Sequence, residues 1–80
     1  MKASTKQKIL ELASKGSTFY APIAHECKIK YDTADRYIKQ LQAEKLIEVA
    51  YIREDGLRSY QLTDKGRLMV TIERTVAQEK

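Results

Sequence analysis

Apolar residues recur at helical spacing through the first half of the chain, switch to strand alternation, and then return to helical spacing. Ile9, Leu10, Leu12 and Ala13 give one buried stripe to a helix over residues 4–15. Ser4 stands three residues before Gln7, the spacing of a capping box. Gly16, after Lys15, sits where a left-handed residue would end that helix. Ile23, Ala24 and Cys27 share one side of a short second helix over 22–27, with Pro22 in the first turn, where no amide hydrogen is needed. Ile29 falls in a break. Ala34, Ile38 and Leu41 then resume the period in a third helix over 32–44, capped by Asp32 or Thr33. Leu46 and Ile47 close the core beyond it.

From residue 48 the pattern reads as a hairpin. Residues 48–62 surround Asp55-Gly56, a strong signal for a two-residue turn, because both positions can need positive φ. That centre pairs Arg53 with Arg58, Tyr51 with Tyr60 and Val49 with Leu62, all on one face. Thr18-Phe19-Tyr20 is a candidate short strand against this hairpin. Thr63 caps a last helix over 64–78, along which Leu68, Met69, Ile72 and Val76 form a stripe. The expected architecture is α+β and mainly α: a three-helix core, a two-stranded β-hairpin and a C-terminal helix, forming a single domain over 1–80.

Composition narrows the chemistry. With 42% hydrophobic and 32% charged residues the chain is globular rather than disordered. The net charge of +4 is mild, but its placement matters. Residues 1–45 carry nine Lys/Arg against five Asp/Glu, whereas residues 46–80 carry six of each. The basic excess therefore lies with the helix pair. One cysteine excludes an intrachain disulfide and suits a reducing compartment. No apolar run reaches membrane-spanning length, and the N-terminus lacks a signal-peptide core. A cytoplasmic, nucleoid-associated location without membrane contact is expected.

Two short packed helices joined by a tight turn form the unit that enters a DNA major groove, and a hairpin directly after them is a wing. On the third helix Thr33, Arg36 and Gln40 lie along one outward ridge. Arg can hold guanine and Gln adenine, each through two hydrogen bonds, and Lys39 suits a phosphate. Tyr37 lies between the polar and apolar sides, with its hydroxyl at the candidate interface. A solvated helix face has the same composition, and Asp35 opposes phosphate unless it pairs with Arg36 or Lys39. Thr18, Lys28 and Lys30 around the helix pair are candidate backbone anchors, although surface lysine is the commoner explanation. Two arginines opposed at a hairpin tip repel each other, and a phosphate backbone or narrow minor groove would relieve that. Screening by Glu54 and Asp55 is the plainer account of the tip.

Catalysis is not expected. His25 and Cys27 are two residues apart and point to opposite sides of a helix, so they form neither a metal pair nor a nucleophile–base pair. No glycine-rich phosphate loop is present. Neither a metal nor a cofactor is expected.

Three stretches together resemble the winged helix-turn-helix domains of MarR, ArsR and PadR-type regulators over about Lys6 to Met69. Ile23-Ala24-x-x-Cys27-x-Ile29 resembles the family's helix and turn. Thr33-Ala34-x-Arg36-x-Ile38-x-x-Leu41, followed by Leu46-Ile47, resembles its recognition helix and exit. Tyr60-x-Leu62-Thr63-x-Lys65-Gly66 resembles the end of its wing. The resemblance implies a sequence-specific double-stranded DNA-binding protein, a transcriptional regulator in small stand-alone form, with no small-molecule pocket carried over. A protein–protein interaction module, or a subunit of a larger assembly, is the alternative. A role in replication or plasmid maintenance would share the DNA contacts. Lys28 and Lys45 stand where the family places glycine, which leaves room for a differently shaped turn, since a left-handed lysine costs about 1 kcal/mol. Met69, Ile72 and Val76 extend beyond what a small core needs and are expected to form a homodimer through the last helix.

Overall fold

The computed structural model describes the backbone of residues 1–78 and the side chains of residues 1–72. Four helices and one hairpin follow in the order α1 (Ala3–Ser14), α2 (Tyr20–Cys27), α3 (Tyr31–Ala43), β1 (Ile47–Ile52), β2 (Arg58–Leu62) and α4 (Asp64–Gln78). The core draws on every element. Ile9, Leu10 and Ala13 of α1 meet Ile23 and Ala24 of α2, and Ala34, Ile38 and Leu41 of α3. Leu46, Ile47, Tyr60, Leu62 and Val70 complete it. Cys27 packs at the edge of this cluster, where burial pushes its thiol pKa up, with smaller opposing effects of Lys8 and Glu26. Among the described residues no helix is long and apolar enough to cross a membrane.

The helix starts differ from the expected caps. The residues preceding α1, α2 and α3 are Lys2, Phe19 and Lys30, and none makes a side-chain cap hydrogen bond. Ser4 lies inside the first turn of α1 rather than at a capping box, and Asp32 lies in the first turn of α3, where its charge suits the helix dipole. Packing of the apolar stripes holds these helices. Only the expectation for α4 is met, since the Thr63 hydroxyl accepts the Gly66 N–H at 3.0 Å.

Two helix ends repeat one device. Beyond α2, Lys28 N–H donates to His25 O and Ile29 N–H to Ala24 O. Beyond α3, Lys45 N–H donates to Gln42 O and Leu46 N–H to Leu41 O. Both sets form the Schellman pattern, and the residue after each turn, Ile29 or Leu46, packs with the core cluster that holds Ala24 and Leu41. Each needs a left-handed residue, and each has lysine there, with φ 56° at Lys28 and 60° at Lys45. The turn therefore keeps the shape that glycine would give it, at the strain of a left-handed side chain.

The hairpin register is corrected. Arg53 N–H donates to Leu57 O and Gly56 N–H to Arg53 O, so the loop has three residues, Glu54, Asp55 and Gly56. Gly56 takes φ 85°, and the Asp55 carboxylate accepts the Leu57 N–H at 3.0 Å. Ile52 then faces Arg58 and Tyr51 faces Ser59. A bulge at Ala50 shifts the pairing again, so that Val49 faces Tyr60 and Ile47 faces Leu62. Arg53 and Arg58 are not opposed, and Val49 and Tyr51 are exposed. On its other side β2 pairs with Thr18, which exchanges hydrogen bonds of 2.9 and 2.7 Å with Tyr60. The expected third strand is thus a single bridge, and Tyr20 belongs to α2.

Candidate nucleic-acid interface

Burial of Ala34, Ile38 and Leu41 turns the opposite face of α3 to solvent. Arg36, Lys39 and Gln40 are exposed there, and Thr33 is half-buried beside them. Arg36 and Gln40 are four residues apart, one above the other on the helix surface. Lys39 is tied to Asp35 at 3.1 Å, the pairing that offsets the acidic charge on this face. Tyr37 packs partly against the core. Lys28 and Lys30 are exposed on either side of the break between α2 and α3.

The wing stands beside α3. A groove between them is lined by Tyr20, Asp35, Ile38, Lys39, Leu57 and Arg58. Arg58 is exposed on its rim, fixed by the strand ladder. Arg53 lies at the loop itself, 3.9 Å from the Asp55 carboxylate. One expected contact is corrected: Thr18 is 7% exposed, because its bridge to Tyr60 draws it against the body, so its side chain is not open to a phosphate.

Sequence reasoning missed an aromatic row. Arg53 lies over the Phe19 ring, 6.0 Å from its centre. Phe19 meets Tyr20 edge-on at 6.1 Å, and Tyr20 meets Tyr31 edge-on at 5.2 Å. Tyr31 is the first residue of α3 and is 60% exposed. Phe19-Tyr20 read locally as a strand, and nothing in the linear order shows that Arg53 returns to them. A second missed group lies at Tyr51, whose phenolic oxygen receives hydrogen bonds from Ser59 and Ser17. These donors, helped by Arg53, hold its pKa below the ordinary tyrosine value.

The α4 face is also redistributed. Val70 enters the core at 5% exposure and Met69 packs partly against it, while Leu68 and Ile72 are exposed at 61% and 53%. Met69, expected at a dimer face, thus turns partly inward, and Leu68 of the same stripe is left exposed. Val76 lies outside the described side chains.

The family model described as winged helix-turn-helix matches residues 2–80. The chain belongs to the winged helix-turn-helix family. Among solved winged-helix structures, a doubly substituted apo form of Lactococcus lactis ZitR aligns with a TM-score of 0.81 and 26% identity, covering 96% of this chain and 59% of that one. A singly substituted ZitR in complex with DNA gives 0.79 and 25%, covering 99% and 55%. Streptococcus pneumoniae FabT in complex with DNA gives 0.84 at 16% identity, covering 99% and 56%. The chain thus spans between 55% and 59% of the length of these winged-helix neighbours. No curated protein matches the sequence.

Proposed function

We propose that this chain is a sequence-specific double-stranded DNA-binding protein acting in transcriptional regulation. The α3 helix enters the major groove, and the wing touches backbone or minor groove. The observation that carries this reading is the placement of Arg36 and Gln40 one turn apart on the exposed face of α3, with Arg53 and Arg58 on the neighbouring wing. Arg36 and Gln40, with Thr33 and Tyr37 at the edges of the ridge, read bases. Lys28, Lys30, Lys39 and the two wing arginines meet phosphates. Lys39 must exchange Asp35 for a phosphate to do so. The ZitR and FabT complexes with DNA support the reading. Such a protein works on the nucleoid in the cytoplasm and binds rather than catalyses.

A second copy of the chain is the proposed partner at α4. Leu68 and Ile72 lie four residues apart and project one apolar strip into solvent. A two-fold pairing there would present two α3 helices to successive major grooves.

A specific observation favours the alternative of a protein-interaction module: Val49 and Ile52 are exposed apolar side chains on one face of the wing. Fluorescence anisotropy of a labelled random duplex, titrated at low and moderate salt, separates the two. Salt-sensitive binding supports the DNA reading. No binding by the folded protein at low salt transfers the assignment to the protein-interaction reading.

A further inference from the structure

We propose that Phe19 is a positioning residue that aims the wing guanidinium of Arg53, and that the row Arg53–Phe19–Tyr20–Tyr31 fixes the wing tip relative to the start of α3. The proposal rests on the reading of α3 and the wing as a DNA-binding surface. The two wing arginines are held in different ways. Arg58 sits within the β ladder opposite Ile52, so its backbone is set by strand pairing. Arg53 begins a loop closed on itself by the Arg53–Leu57 hydrogen bond, and its long side chain has many rotamers to lose on meeting a phosphate. Asp55, 3.9 Å away on the same loop, draws the guanidinium back toward the turn. The Phe19 ring, at 6.0 Å, supplies a face outside the loop on which the guanidinium can lie.

That face is anchored. Phe19 immediately precedes α2 and is half-buried, and its ring is stacked edge-on against Tyr20 at an interplanar angle of 83°. Tyr20 in turn packs against the core and stands edge-on to Tyr31 at 78°. The row runs from the wing tip, past the start of α2, to the first residue of α3. A charge lying on it keeps a defined distance from the base-reading ridge while half of the Arg53 side chain stays open to solvent. Pre-ordering of this kind lowers the entropic cost of binding without adding a contact.

The test is a double-mutant cycle of Phe19→Leu and Arg53→Ala, read as affinity for a labelled duplex at low salt, with Phe19→Tyr as the conservative variant. Phe19→Leu should weaken binding about 2–5-fold, the size of an exposed cation–π contact. It should cost nothing further in the Arg53→Ala background, and Phe19→Tyr should bind like wild type. In the free protein, NMR should show the Arg53 δ protons shifted upfield by the ring, and Phe19→Leu should abolish that shift. An equal loss from Phe19→Leu with and without Arg53, an unchanged affinity, or unshifted Arg53 protons in wild type would each overturn the proposal while leaving DNA binding standing. Failure of wild type to bind any duplex would overturn the DNA reading, and the proposal with it.

Discussion

The Thr63 hydroxyl donates to the carbonyl oxygen of Lys45 at 2.6 Å, fastening the start of α4 to the end of α3. The Thr63 hydroxyl oxygen also accepts the Gly66 N–H, and the Thr63 N–H donates to Leu46 O. Lys65 Nζ reaches Glu44 O at 3.1 Å, while the Glu44 carboxylate pairs with Lys6 of α1 at 2.9 Å. A Cβ on Gly66 would overlap the Leu46 carbonyl oxygen. The run Leu62-Thr63-x-Lys65-Gly66 is thus a joint: a buried leucine, a double-duty hydroxyl, a carbonyl-capping ammonium and a residue small enough for close approach.

Thr63→Val should therefore destabilise the fold by about 1–3 kcal/mol, since it removes a cap and leaves the Gly66 N–H without its side-chain acceptor. Gly66→Ala should cost about 3 kcal/mol, because the conflict is with backbone rather than with a movable side-chain end. Urea denaturation of the two variants measures both. Equal stability of Gly66→Ala and wild type would contradict the close approach of α4 to Leu46.

Lys28 and Lys45 should respond in the opposite sense. Each occupies a left-handed position that glycine takes without steric cost. Lys28→Gly and Lys45→Gly should each stabilise by up to about 1 kcal/mol, with part of the gain offset by the greater freedom of glycine in the unfolded chain. Thermal melts decide this. Lys45→Gly is the cleaner test, because Lys28 is also a proposed contact to the DNA backbone.

These two lysines mark what could be read from the sequence. Apolar spacing located every helix, because a stripe such as Ala34, Ile38 and Leu41 has one period that buries it. The Tyr60-to-Gly66 signature was legible for the same reason that it is structural. The hairpin register was not. Asp55-Gly56 admits two- and three-residue loops, and the Ala50 bulge has no local signature. The three-residue loop removed the Arg53–Arg58 opposition, and the bulge moved Tyr51 to the face opposite Tyr60. The ridge of Arg36 and Gln40 was readable from helical period, whereas the contact of Arg53 with Phe19 joins residues far apart in sequence.

Base and backbone contacts should separate by variant. Arg36→Ala or Gln40→Ala should cost about 1–3 kcal/mol on the preferred site and relax specificity at one position. Arg53→Ala with Arg58→Ala should weaken all sequences alike and flatten the salt slope. Because the two wing arginines are not paired across the hairpin, their losses should be close to additive. Competition titrations against random duplex at several salt concentrations resolve the two classes.

Tyr51 should titrate below the ordinary tyrosine range. Hydrogen bonds from Ser59 and Ser17 favour its phenolate and lower its pKa from the ordinary value of 10.0. The sign follows directly. Below the lowered folded value the phenol is protonated in both folded and unfolded chains, and it adds no pH-dependent stability there. As pH rises past the lowered folded value the folded state gains, and the gain is complete above the unfolded value. Ultraviolet phenolate titration should show this lowered titration, lost in Tyr51→Phe and moved upward in Ser59→Ala.

Self-association should depend on residues that the core does not use. Val70 is committed to the core and Met69 partly so, which leaves Leu68 and Ile72 as the exposed apolar strip among the described side chains of α4. If that strip pairs with a second copy, sedimentation should show a dimer at tens of micromolar, and Leu68→Ser with Ile72→Ser should return it to monomer without lowering the melting point of the monomer fold. The same variant should lose affinity for a two-half-site duplex far more than for a single half-site, because only the dimer joins two weak contacts into one. Wild type that sediments as a monomer with and without DNA would remove α4 as the pairing surface, and α3 and the wing would then have to read a single half-site.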